Sequence, residues 1–268
     1  MHICYIFAME AEARPFIEHL KAEEQENFFA PLPCRLYTSP LPTSPKGEDS
    51  STSVSSPSPL GGSWRGAVSI VTTGRQHDRD LIGCEAAALA TTMAIQRLYP
   101  DLVISSGTCG GWARKGAKVG EVYIANGAMF HDRRVPGDNA WDTQGLGNYS
   151  VWDGSFTLAE RLHLPMGKVT TGSSFELLPI EEEYIDANGG QLKEMEGASV
   201  AFVCSLFRVP VMLVKAVTNL RDAPSDDIKD FQAHLKAVSQ RLCQANIEIL
   251  NELTKQQGHI QLKYKKPS

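Results

Sequence analysis

Short β-branched apolar runs alternate along this chain with segments whose apolar residues recur at three- and four-residue steps. His2–Ala8 predicts a buried strand and Glu10–Leu20 a helix. Arg35–Thr38, Ala67–Thr73, Leu102–Ser106, Val122–Met129, Lys168–Thr171 and Val211–Val217 predict further strands. Leu81–Leu98 is Ala-rich and closed by Pro100, which predicts a helix. A nearly all-apolar stretch from Gly197 to Phe207 predicts a third helix. The steps Phe231, Leu235, Val238, Leu242 and Ile249 predict a last one. Such alternation implies an α/β fold with a mostly parallel sheet, whose ligands bind at the carboxyl ends of strands.

One stretch lacks any such pattern. Ser39–Trp64 repeats Ser-Pro, ends near Gly61-Gly62 and offers little apolar surface to offset its ordering entropy. It reads as a disordered low-complexity insertion between two strands of a hairpin. The chain is therefore expected to form one domain over 1–254, interrupted at 39–64, with a basic tail at 255–268.

Composition narrows the function. The chain has 268 residues, 42% of them hydrophobic, enough for a core without a disulfide or metal staple. Its net charge of −5 and the lack of a basic stripe argue against a nucleic-acid partner. Cys4, Cys34, Cys84, Cys109, Cys204 and Cys243 form no CxxC pair and have no His at zinc-ligand spacing. That favours a reducing compartment. The first residues make a poor signal peptide and no run reaches about 18 apolar residues, so a cytoplasmic protein without a membrane partner is expected.

Polar residues collect at predicted strand ends: Glu10 and Glu12, Thr108, Phe175 with Glu176, Met195 with Glu196, and Thr218 with Asn219. Glu196 opens the apolar helix, where a carboxylate either complements the helix dipole or, fixed and ionised, holds a vicinal diol. Lys215, inside an apolar strand, needs a partner, and Glu12 or Glu10 is the candidate.

Four stretches taken together resemble a known family. They are Ala8-Met9-Glu10-Ala11-Glu12, the Ser106–Gly111 turn, Phe130–Arg134 and Met195-Glu196-Gly197-Ala198. In order and spacing the chain, apart from Ser39–Trp64 and the tail, is similar to the nucleoside phosphorylase/nucleosidase superfamily. Its branch of plant-type 5′-methylthioadenosine/S-adenosylhomocysteine nucleosidases is the best fit. The resemblance implies a three-layer α/β/α sandwich around a central, partly barrel-like mixed sheet, a homodimer, and no metal or organic cofactor. It implies hydrolysis of the N-glycosidic bond of a purine thionucleoside to adenine and an alkylthioribose. Glu12 would orient the water as general base, with Thr108 and Lys215 beside it. Phe175 would stack on the purine, with the backbone at Glu176 on its edge. Met195 and Glu196 would take the ribose, and Met9 and Ile228 would wall the 5′ group. The Phe130–Pro136 segment would reach across the dimer, with His131 structural.

One position departs from the family. Its Ser/Thr-Asp pair, which carries the catalytic acid, is Thr218-Asn219 here. An amide donates a hydrogen bond but not a proton. Asp222, three residues on, is a candidate substitute acid. Asn219 keeps open a 6-oxopurine substrate (futalosine- or inosine-like), cut by a hydrolase or a phosphorylase, and also a weakly catalytic nucleoside-binding protein. Phosphorolysis would need a cationic cradle; Arg75 is a nearby candidate but sits in a loop-like stretch, so water is the expected nucleophile.

Overall fold

β1 (His2–Phe7) is buried at every position because helices cover both of its faces. Ile3, Tyr5 and Phe7 join one apolar cluster, Cys4 and Ile6 the other. The computed structural model describes residues 1–42, 66–135, 139–224 and 227–255. After β1 come α1 (Glu10–Leu20), β2 (Glu23–Glu24), β3 (Arg35–Pro40) and β4 (Ala67–Thr72). A small hairpin of β5 (Arg75–Gln76) and β6 (Arg79–Asp80) leads to α2 (Cys84–Leu98) and β7 (Leu102–Gly111). Then follow β8 (Val122–Phe130), α3 (Asn139–Leu146), α4 (Gly154–Leu162), β9 (Met166–Thr171) and α5 (Pro179–Ala187). β10 (Leu192–Glu194), α6 (Gly197–Phe207), β11 (Val211–Leu220) and α7 (Asp227–Lys255) complete the order.

Among the described residues the main sheet runs β10-β9-β8-β11-β7-β1-β4-β3-β2, and a further β10–β7 pairing closes its first five strands into a barrel. The sheet is mixed: β1 pairs β4 and β7 in parallel, while β11 with β8 and β10 with β7 are antiparallel. The apolar stripes of α2 and α6 cover one face; α1, α4 and α7 cover the other. This is the expected three-layer sandwich with a barrel-like centre. Among the described residues no helix is long and apolar enough to cross a membrane.

Several element boundaries differ from expectation, each for a physical reason. The glycine-rich Ser106–Gly111 stretch is not a turn: β7 continues through it to Gly111, buried throughout. There the glycines make room rather than reverse the chain. A Cβ on Gly107 would stand 3.3 Å from the Glu12 carboxylate. One on Gly110 would stand 3.0 Å from Arg221 Cδ and 3.3 Å from Asn219 Nδ2. α2 starts at Cys84, not Leu81, because Gly83 turns the chain at φ 101°. Ser39 and Pro40 remain in β3, opposite Val68 and Ala67, and Leu41 is buried, so the irregular segment begins later than Ser39. The expected disorder beyond residue 42, and the tail beyond Lys255, lie outside the described residues. β2, β5, β6, α3, α4, α5 and β10 were not expected; each is short, at nine residues or fewer.

Candidate active site

Glu12 occupies the third residue of α1, where its Oε2 accepts from the Met9 amide at 3.3 Å. Its Oε1 accepts from Thr108 twice, from the amide at 2.7 Å and the hydroxyl at 2.6 Å. The carboxyl is 3% exposed. Burial pushes its pKa up, against the Thr108 hydrogen bonds and the nearby Lys215 charge. Gly107, having no side chain, lets β7 come close enough for these bonds.

β10 and the residues after it supply a second acid wall. Glu194 accepts from the amides of Glu196 (3.1 Å) and Gly197 (2.7 Å), and so caps α6. It also accepts from the Thr171 hydroxyl and pairs with Lys215 at 2.8 Å, both side chains 2% exposed. Lys215 therefore has its ion pair with Glu194, not with Glu12 or Glu10. Glu10 turns outward to Arg35 and Arg14. With Glu194 as the cap, Glu196 makes no cap bond of its own. Its Oε1 accepts instead from the Gly83 amide at 2.7 Å, across to the start of α2. Burial, then the Glu194 charge, pushes Glu196 up to about 7.

The third wall comes from the end of β11. Its register against β7 slips between Val217 and Asn219, a bulge that leaves Thr218 as the extra residue. Thr218 Oγ1 lies 3.1 Å from the Cys109 carbonyl and 3.0 Å from Asn219 Oδ1. Asn219 Nδ2 donates to Asp227 Oδ1 at 2.9 Å, and Asp227 pairs with Arg221 at 2.6 Å. Asp222, the candidate substitute acid, is engaged elsewhere: its carboxylate accepts from the Ala113 and Arg114 amides. The carboxylate next to Asn219 is Asp227.

These walls enclose a cavity of about 140 Å³ at the carboxyl end of the sheet. Met9, Glu12, Thr108, Phe175, Met195, Glu196, Thr218 and Asn219 all line it. Behind it, Glu12, Ser105, Ser106, Glu196 and Lys215 line a small cavity of about 10 Å³. Glu176 is exposed, and Ile228 is 51% exposed; neither lines the main cavity. Arg75 lies in the β5–β6 hairpin beside Asp80 and lines neither cavity. His131 is buried and bonded to Thr170 Oγ1 at 2.9 Å.

Sequence reasoning missed five lining or supporting groups: Lys193, Glu194, Arg221, Asp227 and Phe231. Phe231 meets Phe175 edge-on, with ring centroids 5.8 Å apart. Lys193 Nζ donates to the carbonyls of Ser174 (2.6 Å) and Phe175 (3.0 Å), which anchors the loop carrying that ring. Burial, then Arg221, lowers the Lys193 pKa to about 8. The one available signal was their position: each lies within a few residues of a residue already singled out, or on the helix that follows.

A five-strand barrel between two helical layers, its cavity walled by carboxylates and aromatic rings at the strand ends, defines the nucleoside phosphorylase-like class of α/β proteins. The chain belongs to the phosphorylase superfamily, whose family model matches residues 2–251. It is 32% identical over 249 residues to the 5′-methylthioadenosine/S-adenosylhomocysteine nucleosidase of Arabidopsis thaliana, covering 93% of this chain and 90% of that one. The solved structure of Arabidopsis thaliana 5′-methylthioadenosine nucleosidase superposes with a TM-score of 0.82 at 30% identity, over 97% of each chain. Futalosine hydrolase of Helicobacter pylori shares the fold, with a TM-score of 0.69 at 19% identity over 94% of this chain and 98% of that one.

Proposed function

We propose that this protein hydrolyses the N-glycosidic bond of a purine thionucleoside, 5′-methylthioadenosine first, to adenine and 5-methylthioribose. The observation that carries the reading is Glu12. It is a buried carboxyl held by Thr108, raised in pKa, and placed between the main cavity and the small one behind it. A volume of that size suits about one water molecule. The names of the plant relatives supply the substrate class.

In this reading the C1′–N9 bond breaks with its electron pair leaving on the base, through an oxocarbenium-like transition state. A water oxygen bonds to C1′ and passes a proton to Glu12. The departing base takes a proton from solvent and Glu12 later returns the water's proton to solvent, so that one water is consumed and the carboxylate is restored. Thr108 orients Glu12. Lys215 neutralises Glu194 and biases Glu12 toward its ionised form. Glu196 takes the ribose hydroxyls, Met195 and Met9 pack against the sugar and its 5′ group, and Phe175 with Phe231 flanks the base. Glu176 contributes through its backbone, and Ile228 stands at the rim. Asn219 gives the base a hydrogen bond, oriented by Thr218 and Asp227.

Water rather than phosphate is the nucleophile in this proposal, because Arg75, the candidate for a phosphate cradle, lines neither cavity and pairs with Asp80. Residues 1–254 act as one cytoplasmic nucleosidase domain working as a homodimer; exposed Leu178 and Ile180 near the start of α5 suit a covered surface. Product analysis with and without phosphate tests the reading. Free methylthioribose at equal rates in both is expected; strict phosphate dependence, or no cleavage of methylthioadenosine, would sink it.

A further inference from the structure

A glycosidic bond to nitrogen breaks faster when a proton reaches the leaving base as the bond opens. Asn219 has no proton to release. Asp222 and Asp227 are held by other partners, outside the cavity lining. Lys193 is a cationic side chain that does line the cavity. The strand register sets Lys193 of β10 opposite Gly110 on one side and Asn219 of β11 opposite it on the other. Arg221 lines the cavity as well, but a guanidinium keeps its protons.

Lys193 is 5% exposed. Its Nζ donates to the Ser174 carbonyl at 2.6 Å and to the Phe175 carbonyl at 3.0 Å, within the loop that carries the Phe175 ring. An ammonium has three hydrogens and a neutral amine two. Both loop bonds therefore survive deprotonation, and only the third hydrogen, which these carbonyls do not use, has to leave. The loop can stay fixed while a proton moves. Burial, then the Arg221 charge, lowers the Lys193 pKa to about 8, against Glu181, Glu194 and Asp132, which raise it. His131, itself lowered in part by Lys193, faces it too. Such a lysine is protonated at neutral pH yet gives its proton up readily, as a general acid must.

We propose that Lys193 is the general acid of this site and gives its third ammonium hydrogen to a ring nitrogen of the departing purine. The C1′–N9 electron pair goes to the base. The Nζ–H bond of Lys193 breaks with its pair staying on Nζ, and the proton bonds to the ring nitrogen. The attacking water bonds to C1′ through its oxygen and gives a proton to Glu12. Glu12 then loses that proton to solvent and Lys193 takes one back, so one water is consumed in all. Asn219 is left to hold the base through its amide. This rests on the N-glycosidase reading above and replaces solvent with Lys193 as the source of the base's proton.

The test compares 5′-methylthioadenosine with 4-nitrophenyl 5-methylthioriboside, whose nitrophenolate leaves without a proton, in the wild type, Lys193→Met and Lys193→Arg. Arginine keeps a charge and donors for the loop but does not release its proton. Both variants should lose about 10²-fold in kcat for methylthioadenosine and cleave the nitrophenyl glycoside at close to the wild-type rate. The wild type alone gives a second readout. Its kcat for methylthioadenosine should fall as pH rises past about 8, where Lys193 loses its proton, with no such fall for the nitrophenyl glycoside. Equal losses on both substrates, or wild-type turnover of methylthioadenosine in Lys193→Arg, reduce Lys193 to a loop anchor and overturn the proposal. A wild type that cleaves the nitrophenyl glycoside alone overturns it too and leaves the glycosidase reading standing. Cleavage of neither substrate by the wild type overturns both readings together.

Discussion

Asn219→Asp puts a second carboxylate 2.9 Å from Asp227, on the atom that now donates to it. Two unit charges that close, at an effective dielectric near 20, repel by about 6 kcal/mol, or roughly four pH units. Asp227 is 28% exposed and paired with Arg221, so about half of that repulsion survives as a pKa shift. The added carboxyl would then keep its proton to a higher pH than an ordinary Asp. That proton sits where Asn219 now offers only an amide hydrogen. If the base lies there, the variant gains a general acid, worth about 10²-fold or more in kcat for an adenine nucleoside. The assay is adenine release from methylthioadenosine between pH 5 and 8. Turnover should exceed wild type most at low pH and fall as the shared proton is lost. Turnover no higher than wild type at pH 5–6, in a variant with an unchanged melting curve, refutes the placement of the base at Asn219.

Further consequences are open to direct measurement. Lys215→Met strands Glu194 as a buried charge, and urea unfolding should show a loss of about 3–5 kcal/mol; a loss under about 1 kcal/mol would contradict the buried pair. Glu196 has its pKa raised from 4.5 to about 7. Between those values the folded protein holds a proton that the unfolded chain has released. Stability should therefore fall as pH rises through that window, by up to about 1.4 kcal/mol per unit, and level off above it. Glu196→Gln should flatten this slope, so an identical slope in the variant rules Glu196 out as its source. Glu12→Gln keeps the Thr108 contacts with a neutral amide and should lower kcat by about 10²-fold or more while calorimetry still detects methylthioadenosine binding. Near wild-type turnover would exclude Glu12 as the base.

The local pattern was enough to place β1, α1, α2, α6 and β11, because burial on two faces makes parallel strands continuously apolar and a covered helix face periodic. Polar residues at predicted strand ends also meet at one cavity from five distant stretches, although Glu10 and Glu176 do not reach it. It failed where the barrel imposes a shape the local sequence does not encode. The glycines from Gly107 to Gly111 read as a reversal, yet they serve close approach by Glu12, Asn219 and Arg221. Glu194 carried no local signal, because its role as partner of Lys215 and Thr171 depends on contacts over long sequence separations. The bulge at Thr218 decides that both Thr218 and Asn219 line the cavity, and no period-two reading of β11 contains it. Asp222 and Asp227 are equivalent on paper; only the packing of the 113–115 turn separates them.

The β3–β4 connection leaves the sheet beside the start of β1, where Leu41 bonds to Gly66 and Gly66 to Met1. The cavity is at the opposite end, where β1, β7 and β11 finish. The fold thus has two poles with different freedoms. At one, the chain leaves the sheet at Leu41 and returns at Gly66, on the side away from the cavity. At the other, the barrel seam and the ligand wall are the same few residues from Leu192 to Glu196. Substitutions are therefore expected to be tolerated best beside Leu41 and Gly66 and least from Leu192 to Glu196, where one change disturbs the barrel closure and the cavity wall together.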